Sequence, residues 1–161
     1  MSDLTELLER FRRGPEVLAN VLTGAAGEEL DYTPAAGKWS IRQIVAHVAD
    51  AEVAGAWRFR MVIAEKDPVL QAMDENAWAR SLNYGQRRLA QSLESFRRLR
   101  GENYELLKGL PASAWERAGT HTERGRITLR QLLETYADHA EGHARQVAAV
   151  RDQHRRERGR K

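Results

Sequence analysis

The sequence predicts an all-α protein built around four long helices. Apolar residues recur at three- and four-residue spacing in four separate segments. Two of these segments open with a capping-box motif, and no segment alternates apolar and polar residues for long enough to predict a regular strand. The length of 161 residues suits one domain. We place that domain at residues 1–153 and expect residues 154–161 to form a basic C-terminal tail.

The first two helices lie in the N-terminal part of the chain. Leucine and phenylalanine residues at helical spacing predict the first helix, bent or restarted at Pro15. Residues 24–38, rich in Gly, Ala and Pro, predict a connection. A capping box at Ser40 begins the second helix. This helix should end near Glu65, because Pro68 forces the residue before it out of helical geometry.

The second half of the chain predicts a long loop and two more helices. The loop spans residues 67–84 and contains a short helical candidate at residues 75–80; loops of this length often form lids or walls of binding sites. Leucines at helical spacing predict the third helix. A capping box at Thr128 begins the fourth, which should end near residue 153. The β-leaning segment 126–128 is too short to predict a strand.

Composition and charge exclude several classes of protein. Apolar residues make up 42% of the chain and charged residues 30%, which is typical of a globular protein. No apolar run is long enough to span a bilayer, and the acidic, amphipathic N-terminus does not resemble a targeting signal, so we expect a cytoplasmic protein without membrane contact. The net charge of +3 arises in the tail, which argues against nucleic acid as the primary partner.

Three histidines predict a metal site made without thiolates. There is no cysteine, so ligands must come from His, carboxylate or water. His139 and His143 are four residues apart, which places both imidazoles on one helix face, close enough to chelate one ion. His47 also continues an apolar stripe, and it can join them only if its helix packs there. The alternative is three core histidines without a metal, an arrangement that buries polar groups at a cost.

Two segments resemble the DinB superfamily and, within it, the YfiT-like branch. They are residues 38–52 (KWSIRQIVAHVADAE) and residues 136–147 (YADHAEGHARQV). Residues 121–128 (HTERGRIT) are also similar to that branch, although Thr122 stands where the branch often has proline. The resemblance implies an up-down-down-up four-helix bundle with a nickel, zinc, iron or manganese ion. It also implies the ligands His47, His139 and His143, and frequently a homodimer.

Other residues are candidates for a role beside the metal. Asp50, three residues after His47, is the carboxylate best spaced to orient that imidazole or accept a proton, although a surface acid is the ordinary interpretation. His121 is a fourth ligand, a proton shuttle or a plain loop residue. Trp78 lies in the long loop, and Arg58 would meet an anionic substrate only if the helices leave a cleft. His154, in the basic tail, is expected on the surface.

The sequence supports more than one function. Three neutral imidazoles leave an ion with an open position, which favours an enzyme acting on a small molecule. Through the resemblance, we predict a hydrolase that activates water or an S-transferase that uses a low-molecular-weight thiol cosubstrate. The alternative is a non-catalytic metal-binding or stress-response bundle, in which a fourth protein ligand such as His121 would close the site.

Overall fold

The computed structural model describes residues 3–160 and consists mostly of helices. The helices are α1 (Leu4–Leu22), α2 (Ile41–Ala64), α3 (Glu75–Ser81), α4 (Leu89–Lys108) and α5 (Leu129–Arg158), and the strands are β1 (Val69–Leu70), β2 (Ala118–His121) and β3 (Gly125–Thr128). The four long helices confirm the prediction from hydrophobic spacing. Both capping boxes are present at the starts of α2 and α5, and α3 coincides with the short helical candidate. Pro15 lies inside an uninterrupted α1.

The long helices form an up-down-down-up bundle. Residue numbers increase together along the contacts between α1 and α5 and between α2 and α4, whereas they run in opposite directions between α2 and α5. Between α1 and α5, Arg10 contacts Glu141 and Val21 contacts Arg151. Between α2 and α4, Glu52 contacts Arg100 and Arg60 contacts Asn103. Between α2 and α5, His47 contacts His139 and Arg58 contacts Tyr136. The helices α2 and α5 are therefore antiparallel, as a site shared by His47 and His139 requires.

A small three-stranded sheet corrects the expectation that no strand forms. Strand β2 pairs in parallel with β1 and antiparallel with β3. The strands have two to four residues, too few to show an alternating pattern, and the pairing of β1 with β2 joins segments about 50 residues apart in sequence. Gly119 permits the close approach, because a Cβ there would lie 2.9 Å from both Leu70 Cγ and Pro68 O. The sheet ties the long loop to the segment that precedes α5.

The C-terminal end of α5 corrects two further expectations. The helix continues to Arg158 instead of ending near residue 153. His154, expected on the surface, is buried and packs against Tyr32 with ring centroids 5.0 Å apart. Arg151 fixes this end of the helix by donating to the carbonyl oxygens of Val21 and Thr23. The connection between α1 and α2 therefore covers the C-terminal end of α5, although the sequence of that end is polar and predicts exposure.

Val53 and Trp57 form an exposed apolar face one turn apart on α2, with 51% and 64% of their surfaces exposed. Such a face is one that a second subunit would cover, and homodimerisation stays a prediction. Among the described residues, no helix combines the length and the apolar character needed to cross a membrane.

A buried ion pair lies at the centre of the bundle. Arg100 and Glu52 are each 1% exposed, and the Arg100 guanidinium donates to both carboxylate oxygens at 3.0 and 2.8 Å. It also donates to the carbonyl oxygens of Phe11 and Tyr136, so a single side chain on α4 bonds to α2, α1 and α5. Gly14 provides the space, since a Cβ there would lie 2.5 Å from Arg100 Nη1.

We predict that Arg100→Met destabilises the protein by about 3–5 kcal/mol, because the Glu52 carboxylate would remain buried without its counter-ion. The measurement is the free energy of unfolding in urea. Arg98→Met is the matched control: it changes the same residue type on the same helix, but Arg98 is exposed and pairs with Glu94 on the helix surface. A loss below about 1 kcal/mol for Arg100→Met would contradict a stabilising role for the pair.

Candidate metal centre

The three predicted histidines meet between α2 and α5, where His47 is buried and His139 and His143 are half-buried. His47 lies on the second turn of α2, and His139 and His143 lie one turn apart on α5. The Nε2 atom of His139 is 3.0 Å from His47 Nε2 and 3.1 Å from His143 Nε2. One ligand atom from each residue lies within 4.8 Å of the others. These three residues form the one such group among residues 3–160, and the group could hold a metal ion.

The nitrogen positions fit an ion better than they fit hydrogen bonds. In the neutral ring, His139 Nε2 carries either one proton or one lone pair, so it can complete only one of its two short contacts. Two nitrogens that each bind one ion at about 2.0–2.1 Å stand about 3 Å apart when their bonds are roughly perpendicular. The observed separations of 3.0 and 3.1 Å match that arrangement. The donor set therefore fits a divalent transition metal.

Burial keeps the imidazoles neutral and ready to coordinate. Burial lowers the pKa of His47 to about 3, and His143 adds to the effect. Burial, followed by His143 and His47, lowers the pKa of His139 to about 2. Burial also lowers the pKa of His143, although its hydrogen bond with Gln146 opposes the shift. All three rings should therefore be unprotonated at neutral pH, and the neutral ring is the form that binds metals.

The Nδ1 atoms of His143 and His47, which face away from the point where the Nε2 atoms meet, have different surroundings. His143 Nδ1 lies 2.8 Å from Gln146 Oε1, a contact that holds the proton on Nδ1 and turns Nε2 towards the centre. His47 Nδ1 is buried and has no hydrogen-bond partner within the described part of the chain. Its ring is held by packing instead, with the Trp39 ring centroid 4.9 Å away. Gln146 lies three residues after His143 on α5, so this contact forms within one turn of the helix.

Asp50 does not orient His47, which corrects the expectation from spacing. Its carboxylate is held by both terminal nitrogens of the Arg87 guanidinium, at 2.6 and 3.1 Å. This pairing directs Asp50 towards the segment before α4 and away from the histidine cluster. A fork-shaped guanidinium with two parallel hydrogen bonds holds a carboxylate more strongly than a neutral imidazole does. The sequence could not show this, because Arg87 is 37 residues away along the chain.

Glu75 is the carboxylate that the structure brings to the centre. Its Oε1 atom is 3.9 Å from His47 Nε2, and its side chain is 53% exposed. It occupies the first position of α3, whose N-terminus is capped by Asp74. The sequence places Glu75 in a long loop after α2, and nothing in that pattern gives its distance from His47. The loop prediction was correct, but the position of Glu75 beside His47 was missed.

A cavity of about 240 Å³ opens beside the three histidines, and we call it the side cavity. Its wall includes His139 and residues from α2, α3, α5 and the β2–β3 hairpin. Its polar or charged lining residues include Arg58, Glu75, His121, Arg124, Tyr136 and His139. A space of this size suits a small molecule or one end of a larger one.

His121 lines the side cavity but is not part of the metal-ligand group. It is 8% exposed on β2, and its Nδ1 accepts from the backbone N–H of Glu123 at 3.3 Å. Burial, then Arg58 and Arg124, lowers its pKa. A catalytic role for His121 stays a prediction. Trp78, also considered from the sequence, packs against the cluster of Ala46, Ala79 and Tyr84.

We predict that the metal-free protein loses stability between pH 7.5 and pH 5.5. The pKa values of His47 and His139 lie below their ordinary 6.5 in the folded chain, so at intermediate pH the unfolded chain binds protons that the folded chain does not. At pH 5.5 these two residues together should reduce the free energy of unfolding by about 2–3 kcal/mol. Urea unfolding with a chelator present measures the difference.

His139→Asn serves as the comparison for that experiment, because it removes one titrating group from the cluster. The pH-dependent loss should shrink by about 1 kcal/mol in this variant. Equal stability of the parent protein at both pH values would contradict the neutral, buried state of the imidazoles.

Comparison with known proteins gives a consistent set of relatives. A family model described as the DinB superfamily matches residues 10–147. A protein of Oceanobacillus iheyensis is 27% identical over 147 residues, which cover 91% of this chain and 85% of the relative. A Bacillus mycoides protein is 28% identical over 138 residues, covering 86% and 79%. The names of both relatives give metal-dependent hydrolase as a provisional assignment.

A solved structure shares the fold. YfiT from Bacillus subtilis superposes with a TM-score of 0.85 at 24% identity, covering 91% of this chain and 84% of that one. That protein was described as a "probable metal-dependent hydrolase with an unusual four-helix bundle topology". At this level of identity the likeness establishes the bundle and its helix order, and it leaves the chemistry to the residues of the site.

Proposed function

The chain belongs to the DinB superfamily, and from this premise we propose that it is a metal-dependent hydrolase whose ion is held by His47, His139 and His143. The observation that carries the proposal is the convergence of three Nε2 atoms on one point, with separations of 3.0 and 3.1 Å for two of the pairs. The relatives whose names assign a metal-dependent hydrolase support the same activity class.

The donor set favours a catalytic ion over a structural one. Three neutral nitrogens suit zinc, nickel or iron, and manganese is the remaining candidate from the resemblance. Among residues 3–160, the group of side chains that could bind one ion consists of the three histidines. Three protein ligands with an open coordination position are typical of catalytic zinc sites. When bound, such an ion supplies Lewis acidity, which lowers the pKa of a water and polarises a carbonyl or phosphoryl oxygen.

Glu75 is the proton acceptor in this proposal. Its Oε1 lies 3.9 Å from His47 Nε2, within reach of a water between the histidines and the side cavity. A half-exposed carboxylate beside the reacting atoms can take a proton from water and return it to the leaving group. The side cavity would hold the substrate next to this carboxylate, and Gln146 would keep the His143 ring turned towards the centre.

Two other functions considered from the sequence differ from hydrolysis in what they require. A thiol S-transferase would use the same three histidines but would need a low-molecular-weight thiol for turnover. A non-catalytic bundle would bind metal without turnover. Both differ from the proposal in measurable requirements, so a single set of assays separates them.

We predict one divalent ion per chain in protein purified without chelator or after reconstitution with zinc or nickel. His139→Ala/His143→Ala should bind none, because a single remaining imidazole is too weak a ligand. Elemental analysis gives the stoichiometry. His154→Ala is the matched control, since His154 is another histidine of α5 that lies outside the cluster. Absence of metal from the reconstituted parent protein would contradict the proposal.

The same proteins are then assayed on a panel of carboxylic and phosphoric esters. Hydrolysis should require the bound ion, disappear in the double variant, and proceed without added thiol. Turnover only in the presence of a thiol would indicate S-transfer instead. Stoichiometric metal without turnover on any member of the panel would favour the non-catalytic bundle.

We predict that Glu75→Gln lowers kcat by about 10²–10⁴-fold while the metal content stays at one ion per chain, because the amide keeps the shape but cannot accept the proton. Steady-state hydrolysis beside elemental analysis measures both. Glu123→Gln removes the same charge from the wall of the same cavity and should change kcat by less than about threefold. Equal effects of the two substitutions would rule out a specific role for Glu75.

A further inference from the structure

Two arginines line the side cavity without a carboxylate partner. Arg58 on α2 and Arg124 on the turn between β2 and β3 both contribute to its wall. Within residues 3–160, neither guanidinium lies within ion-pair distance of an Asp or Glu side chain. By contrast, Arg42, Arg87 and Arg100 each hold a carboxylate with two nitrogens. A guanidinium in a concave site that has no direct carboxylate partner is available to pair with an anionic ligand.

Arg58 is fixed in place by neutral oxygen atoms. Its Nη1 donates to the Tyr136 hydroxyl at 2.8 Å, and its Nη2 donates to the carbonyl oxygen of Gln71 at 2.5 Å. These bonds orient the guanidinium but leave it without a direct counter-ion and with N–H groups free to donate further hydrogen bonds. Gly55 allows the arrangement, because a Cβ there would lie 2.6 Å from the Tyr136 ring. The half-buried guanidinium is therefore pre-organised and does not sample many rotamers.

Tyr136 connects this guanidinium with the metal centre. Its hydroxyl accepts from Arg58, and its ring centroid is 6.3 Å from that of His139, one turn further along α5. His121 lies in the wall of the same cavity; burial, then Arg58 and Arg124, lower its pKa, and Glu123 opposes the shift. Anion-binding donors and the histidine cluster thus border one small space.

We propose that the side cavity binds an anionic head group, a carboxylate or a phosphate, of the substrate, with Arg58 as its main donor and Arg124 as a second positive charge at the mouth. This inference rests on the proposed function, because it defines the substrate class of the same site. The two glutamates in the wall, Glu75 and Glu123, balance the two arginines. A divalent ion on the histidines would then leave a net positive charge, which favours an anionic ligand.

The size of the cavity restricts the ligand further. A volume of about 240 Å³ lies below the range of about 300–1,000 Å³ typical of sites that enclose a drug-sized molecule. The cavity therefore accommodates a small acid or the charged end of a longer substrate. The bond to be cleaved would lie a few atoms from the anionic group, between Tyr136 and the three histidines.

Binding of small probes tests the proposal independently of turnover. Zinc- or nickel-loaded protein is titrated with propionate, methyl phosphate and the uncharged propionamide at constant ionic strength, and the shift in Tm gives the apparent Kd. If the protein takes up no ion, the same titrations are made on the protein as purified. The variants are Arg58→Gln, Arg58→Lys and, as matched control, Arg126→Gln, an exposed arginine of β3 outside the cavity.

We expect propionate or methyl phosphate to bind and propionamide not to bind. Arg58→Gln should raise the apparent Kd of the anion about tenfold or more, because a charge-assisted hydrogen bond is lost. Arg58→Lys should recover part of the affinity, and Arg126→Gln should match the parent protein. The more tightly bound anion indicates whether the head group is a carboxylate or a phosphate.

An anionic probe that binds directly to the metal ion would do so in both the parent protein and Arg58→Gln. The ratio of their apparent Kd values therefore isolates the contribution of Arg58. An apparent Kd unchanged within twofold in Arg58→Gln, or equal binding of propionamide and propionate, would overturn the proposal even if the protein hydrolyses neutral esters. Arg58-dependent anion binding by a protein that takes up no metal would support the anion site while the hydrolase proposal fails.

Discussion

The buried ion pair of Arg100 with Glu52 is the interaction on which the arrangement of the bundle depends. Two charges removed from water are tolerated only when their hydrogen-bonding groups are satisfied. Here Glu52 accepts from Arg100 and Asn103, while Arg100 also reaches the backbone of α1 and α5. Each bond constrains the position of one helix against α4. Apolar packing alone would permit sliding of the helices, whereas these directional bonds favour one register.

That register determines where the histidines meet. Arg100 bonds to the carbonyl oxygen of Tyr136, three residues before His139 on α5. On α2, Glu52 lies five residues after His47. The same interaction therefore fixes the two helices that carry the ligands, near the positions where the ligands lie. Its positive charge also contributes to the lowered pKa of His139, after burial and the neighbouring histidines.

The small sheet has a comparable role for the rest of the site. Pairing of β1 with β2 holds the loop that leads to α3, and pairing of β2 with β3 forms the turn that carries Arg124. Glu75, His121 and Arg124 therefore approach the side cavity from segments that contribute little to the helical core. A rigid bundle supplies the metal ligands, and short connections supply the groups that would contact a substrate. This division is common where chemistry is built on loops over a stable scaffold.

Local spacing in the sequence predicts the four long helices, both capping boxes and the apolar helix faces on which His47 and the pair His139 and His143 lie, because each depends on residues three or four positions apart. The three strands, the partner of Asp50, the burial of His154 and the approach of Glu75 to His47 were decided by the tertiary structure. For the pairing of β1 with β2 and for the other three contacts, the partners are separated by 28 to 122 residues, so local spacing carries no information about them. The β2–β3 hairpin is local, but its strands of four residues are too short to show an alternating pattern. The role of Glu52 belongs to the same group: as a lone acid on a helix it is ordinarily exposed, and only the position of Arg100 makes it part of the core.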